Sequence, residues 1–155
     1  MTALAAFSLL LALTSCKKDE NCTIHPEPFR FNIVESGSGT DLIKSGTYQV
    51  DNIGIYYFFN NERQDLIVIP EENPEGNLTE LFSAQLPMIS LSRTETFYLQ
   101  LSQQETDTLI VVMGKEIRDG CIYHPYETVF HNDQNLSIPG EGKAFILEKQ
   151  TAPGY

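Results

Sequence analysis

The sequence predicts an all-β protein, an antiparallel β-sandwich of about eight to nine short strands. Three observations carry that expectation. Apolar residues recur at period two in several segments, and clusters of Gly, Pro, Asn and Asp separate those segments at short intervals. No stretch shows the apolar stripe of an amphipathic helix. The 155 residues fit one domain with a real core, and nine Phe and seven Tyr supply its bulk.

The strands are justified in chain order. After "TIHPEP", an extended Pro-bearing lead-in, "FRFNIV" alternates Phe29, Phe31 and Ile33 with Arg30, Asn32 and Val34, a half-buried strand. "ESGSGTD" supplies Gly37 and Gly39 for a loop. "DNIGIYYFFNN" is apolar on both faces, with Ile53, Ile55, Tyr57 and Phe59 opposite Tyr56 and Phe58, as in a central strand or a covered edge. "RQDLIVIP" reads as a short strand closed by Pro70, and "EENPEGN" as an acidic surface loop.

"NLTELFSAQLPMISL" fits either a helical turn or an irregular strand. "ETFYLQLS" turns Phe97, Leu99 and Leu101 inward and pairs with "TDTLIVVMG" as a hairpin. Pro125 interrupts "CIYHPYETVFHN" and places it at an edge or a bulge. "NDQN" forms a turn, and "KAFILEK" is the final strand. The order resembles small immunoglobulin-like or transthyretin-like sandwiches, a resemblance of pattern that speaks to fold and leaves function open. No internal repeat supports a solenoid or propeller.

The amino terminus carries the most specific message. "MTALAAFSLLLALTS" is apolar and uncharged, but its fifteen residues fall short of the roughly 20 that a membrane-spanning helix needs. They fit the hydrophobic region of a secretory signal. The following "Leu13-Thr14-Ser15-Cys16" resembles a bacterial lipobox, and "CKKDE" is similar to the export signal of surface lipoproteins in Bacteroidota. The chain departs from the lipoprotein pattern in lacking a Lys or Arg just after Met1.

That resemblance implies residues 1–15 as a signal peptide and a diacylglycerol on the Cys16 thiol. Cleavage before Cys16 is followed by acylation of the new terminus, as with palmitate. Several acyl chains meet the need for more than one in stable anchoring. The implied location is the outer membrane, facing the cell exterior. Residues 16–26 become a tether, 27–150 the sandwich domain and 151–155 a tail.

With Cys16 lipidated, Cys22 and Cys121 remain, either as a disulfide or as two free thiols. No pair has the spacing of a zinc site, so neither metal nor cofactor is expected. Twenty-one acidic against ten basic residues give a net charge of −11, which opposes nucleic acid and bare anionic lipid. His25, His124 and His131 are expected as solvated or capping residues. The adjacent Glu71 and Glu72 diverge, and "GSG" at 37–39 lacks the context of a nucleophile or phosphate loop.

Strand aromatics are expected in the core. If exposed, Tyr56, Phe58, Tyr98 and Tyr123 would offer a glycan platform. "Asp107-Thr108-Leu109" resembles the Bacteroidota O-glycosylation acceptor, with Thr108 as the modified residue; Asp-Thr there serves turn chemistry equally well. "Asn77-Leu78-Thr79" matches an N-glycosylation acceptor, whose machinery bacteria generally lack. The expected role is a non-catalytic accessory or protein-binding module on the cell surface. A glycan-binding or adhesin-like protein is the second reading. A hydrolase with strand-borne carboxylates is the third, with no constellation to support it.

Overall fold

Alternating strands build the fold. The computed structural model describes residues 22–72, 77–93 and 95–150, so Cys16, the leader before it and the tail lie outside the described residues. Among those described there are thirteen strands, and nine of them are four residues or longer. The chain is all-β in class, with two main sheets enclosing one core.

The larger sheet has six strands in the order β12-β11-β8-β7-β3-β4. These are β3 (Gly54–Phe59), β4 (Glu62–Leu66), β7 (Thr96–Gln100), β8 (Thr106–Met113), β11 (Tyr126–His131) and β12 (Gln134–Asn135). Every neighbouring pair in it is antiparallel. The second sheet orders β13-β2-β6-β5, from β2 (Phe29–Glu35), β5 (Ile69–Glu72), β6 (Thr79–Ser83) and β13 (Phe145–Lys149). Here the last strand, β13, runs parallel to β2.

Inward residues of both sheets meet in one core that includes Phe29, Phe31, Ile55, Phe97, Leu109 and Leu147. Phe97, Leu99 and Leu101 all point into it, as the alternation predicts. Phe29 stacks on Phe145 with ring centroids 5.0 Å apart, joining the neighbouring strands β2 and β13. The expected hairpin of β7 with β8 forms in register from Thr96↔Ile110 to Gln100↔Thr106.

A third, small sheet joins β1 (Cys22–Thr23), β10 (Cys121–Tyr123) and β9 (Glu116–Arg118). Parallel pairing places Cys22 opposite Cys121, and a disulfide links them across 99 residues of chain. Pro125 falls between β10 and β11, and a register shift follows at Tyr126/Thr128.

Three hairpins turn on two residues with positive φ: Asn60-Asn61, Asp119-Gly120 and Asn132-Asp133. Asn, Asp and Gly tolerate that left-handed conformation, and it matches the twist of the flanking strands.

Two segments differ from the sequence reading. "RQDLIVIP" is not one strand: β4 ends at Leu66 and β5 begins at Ile69 in the other sheet. Pro70 lies inside β5, which is an edge strand where a missing N–H is tolerated. "QLPMISLS" forms an α-helix, α1 (Gln85–Ser92), directly after β6. Its Pro87 sits in the first turn, where the amide has no partner to lose. Leu86, Pro87 and Ser90 are buried, and Ser90 Oγ donates to the Leu86 carbonyl at 3.0 Å.

Candidate binding surface

The outer face of the six-stranded sheet carries an unusual set of side chains. On β3, alternation sends Ile55 into the core and Tyr56 and Phe58 outward. Register then decides their neighbours: Tyr56 faces Tyr98 of β7 and Asp65 of β4, and Phe58 faces Arg63 of β4. The aromatic residues therefore form a patch outside the core. This corrects the expectation that they fill it.

The rings are locked to one another. Tyr56 and Tyr98 stack with centroids 5.1 Å apart and planes at 15°. Phe58 meets both edge-on, at 5.8 Å from Tyr56 and 5.7 Å from Tyr98. The Arg63 guanidinium lies over the Tyr56 ring, 3.8 Å from its centroid. It is held there by Asp65 Oδ1, which accepts from Nε at 2.8 Å, and by Gln100 Oε1, which accepts from Nη2 at 3.2 Å. Cation–ring attraction and two hydrogen bonds thus fix a side chain that would otherwise sample many rotamers.

Tyr56 and Tyr98 are half-buried, while Phe58 is 48 % exposed. The patch continues across the sheet, since Tyr98 faces Thr108, Thr96 faces Ile110, and Ile110 faces Phe130. Tyr123 stands apart from it, on β10 beneath the Arg118 guanidinium.

Thr108 therefore lies on this outer face beside Tyr98, with its backbone N–H donating to Asn132 Oδ1 at 2.9 Å. Its neighbour Asp107 points the other way. Asp107 is buried and receives His131 Nε2 at 2.8 Å and Lys149 Nζ at 2.7 and 2.8 Å. Lys149 also pairs with Glu105 at 2.7 Å, and Glu105 accepts the Tyr48 hydroxyl at 2.8 Å.

Burial alone pushes the Asp107 carboxyl up, but the bonds from His131 and Lys149 outweigh it and hold it well below the usual range. Burial likewise pushes the Lys149 ammonium down, and its two carboxylate partners raise it overall. Burial, with Glu105 beside it, pushes the Tyr48 hydroxyl well up. His131, expected as a solvated or capping residue, is instead 3 % exposed inside this network. The reason is its inward register on β11 opposite Leu109.

A groove of about 440 Å³ opens between the lead-in segment, the β9–β10 hairpin and the loop before β13. His25, Tyr123, His124, Tyr126, Lys143 and the buried Phe145 line it. Several of its polar groups are committed. The Tyr126 hydroxyl donates to the Glu27 carbonyl at 2.8 Å, Glu27 Oε2 accepts from Gly142 N–H at 3.1 Å, and His124 Nδ1 lies 3.1 Å from the Gly114 carbonyl. Glu71 lies at the surface beside Arg30, which also bonds Glu80.

Among the described residues no group of three or more His, Cys, Asp or Glu could hold a metal ion. Likewise, no helix is long and apolar enough to cross a membrane. Arg63 and the Asp107–His131–Lys149 network were the residues sequence reasoning missed. Their meeting depends on strand register, and only the NN turn before Arg63 hinted at it. No protein family, curated protein or solved structure matches this chain.

Proposed function

We propose that the chain is a lipid-anchored cell-surface module that binds a protein partner and performs no catalysis. The observation that carries this reading is the locked cluster of Tyr56, Phe58, Tyr98 and Arg63 on an open sheet face. Aromatic residues and Arg dominate binding hot spots because they contribute large contact area at low entropic cost. The cluster is pre-organised, so little ordering remains to be paid on binding.

The same geometry ranks the glycan reading second. A sugar ring needs an open aromatic face to stack upon, whereas Tyr56 turns toward Tyr98 and lies under Arg63. Within the cluster, only Phe58 offers a half-exposed ring. The lipid anchor on Cys16 rests on the lipobox and the charged run after it, and the Cys22–Cys121 bridge is compatible with an exported, oxidised setting.

A photo-crosslinking side chain at position 58 in the native host tests the binding face. The expected result is a discrete protein adduct at 58 that is missing when the same probe replaces Glu148 on the other sheet. No adduct at 58, or equal adducts at both positions, would overturn the proposal. A soluble fragment that binds arrayed glycans and loses that binding on Tyr98→Ala would favour the second reading.

A further inference from the structure

We infer that the β9–β10 hairpin is the membrane-facing end of the domain and rests on the lipid surface; this builds on the lipid-anchor reading. The first observation is the leash. Only residues 17–21 separate Cys16 from Cys22, and Cys22 is fixed to the body by its disulfide and by pairing with β10. Six extended steps reach at most about 20 Å. The disulfide therefore shortens the tether to those few residues, where an unbridged lead-in would let the domain swing further.

Direction comes from the register. Because β1 runs parallel to β10 and Cys121 pairs with Arg118, Cys22 lies beside the turn end of the hairpin. The amino-terminal end of β1, to which the short tether joins, therefore lies at the Asp119-Gly120 end of the hairpin.

The surface there suits a lipid interface. Ile117 and Ile122 are directly opposed, so they share one face of the small sheet, with Thr23 opposite Ile122. Ile117 is 72 % exposed, the most exposed large apolar side chain among the described residues, and no element covers it. Ile24 and Ile138 are also exposed at the mouth of the neighbouring groove. Next to Ile117, Arg118 is ion-paired with Glu116 and lies over the Tyr123 ring. A few inserted Ile side chains hold weakly by themselves, but beside a covalent anchor they need only orient the domain.

The opposite end then faces outward. Strands β2, β8 and β11 place Gly37, Glu105 and Asn132 at that end, and the aromatic face stands to the side, free for a partner.

The chain contains no Trp, so one introduced residue gives a single fluorescent reporter. The full-length lipidated protein is reconstituted into phosphatidylcholine vesicles carrying brominated acyl chains, as either Ile117→Trp or Gln134→Trp. The expected emission at position 117 is blue-shifted and quenched by the bromolipid, while position 134, at the far end, shows neither change. Ile122→Trp provides a second reporter on the same face should the first variant fold poorly. Lipidated protein with equal emission and quenching at 117, 122 and 134 would overturn the orientation alone. Protein recovered with an unmodified Cys16 would remove the anchor reading and this inference with it.

Discussion

The Lys149 ammonium sits 2.7 and 2.8 Å from the two carboxylate oxygens of Asp107, joining the last strand of one sheet to a central strand of the other. His131 completes the network from a third strand. Elsewhere the inner faces of the two sheets meet in the apolar core. A charged tie at the open end of the sandwich adds a directional constraint that dispersion and hydrophobic burial lack.

Removing one member should therefore cost much more than a surface ion pair. Asp107→Asn leaves a largely buried ammonium with only the more exposed Glu105 as counter-charge, and removes the buried partner of His131. The expected loss is about 3–5 kcal/mol, read from urea unfolding. A loss below about 1 kcal/mol, the range of exposed pairs, would contradict the role given to this residue.

Acid should act on the same group. The Asp107 carboxyl is held below its unfolded value of about 3.9, so its stabilisation is whole above that pH and is lost as pH falls toward the folded value. Wild-type stability should decline below about pH 4, and Asp107→Asn should lack that share of the decline. Parallel urea midpoints for both proteins across this window would refute the assignment.

Reduction should weaken the domain markedly. A loop of 99 residues closed by Cys22–Cys121 restricts the unfolded chain by about 4–5 kcal/mol in the entropy model. Thermal unfolding with and without reductant should show a clear drop in midpoint, and Cys121→Ser should reproduce it. Identical midpoints would mean that the bridge contributes nothing to stability.

The two faces of the larger sheet should answer differently to truncation. Phe97→Ala opens a cavity in the core and should cost about 3–5 kcal/mol. Phe58→Ala removes a half-exposed ring and should cost about 1 kcal/mol, the scale of its ring contacts. A stability loss at Phe58 as large as that at Phe97 would place it in the core after all.

Much of the architecture was legible because alternation is a local property. "FRFNIV", "ETFYLQLS" and "KAFILEK" each show their buried face within a few residues, and the β7–β8 hairpin follows from a short connection. The crossing from β4 to β5 was hidden because "LIVI" is continuously apolar and gives no sign of where one sheet ends. The helix α1 was hidden because eight residues give little periodicity. The candidate face was half legible: Tyr56, Phe58 and Tyr98 stood out as aromatics. Their stacking beneath Arg63 depends on a register spanning 37 positions from Arg63 to Gln100. His131 and Asp107, 24 positions apart, meet for the same non-local reason.

The central claim is a binding module held at the cell surface through Cys16, and mass spectrometry of the amino-terminal peptide from the membrane fraction tests it most directly. The account predicts a chain that begins at Cys16 with a diacylglycerol on its thiol and an acyl group on its amino terminus. A peptide that continues upstream of Cys16 with its thiol free would contradict it.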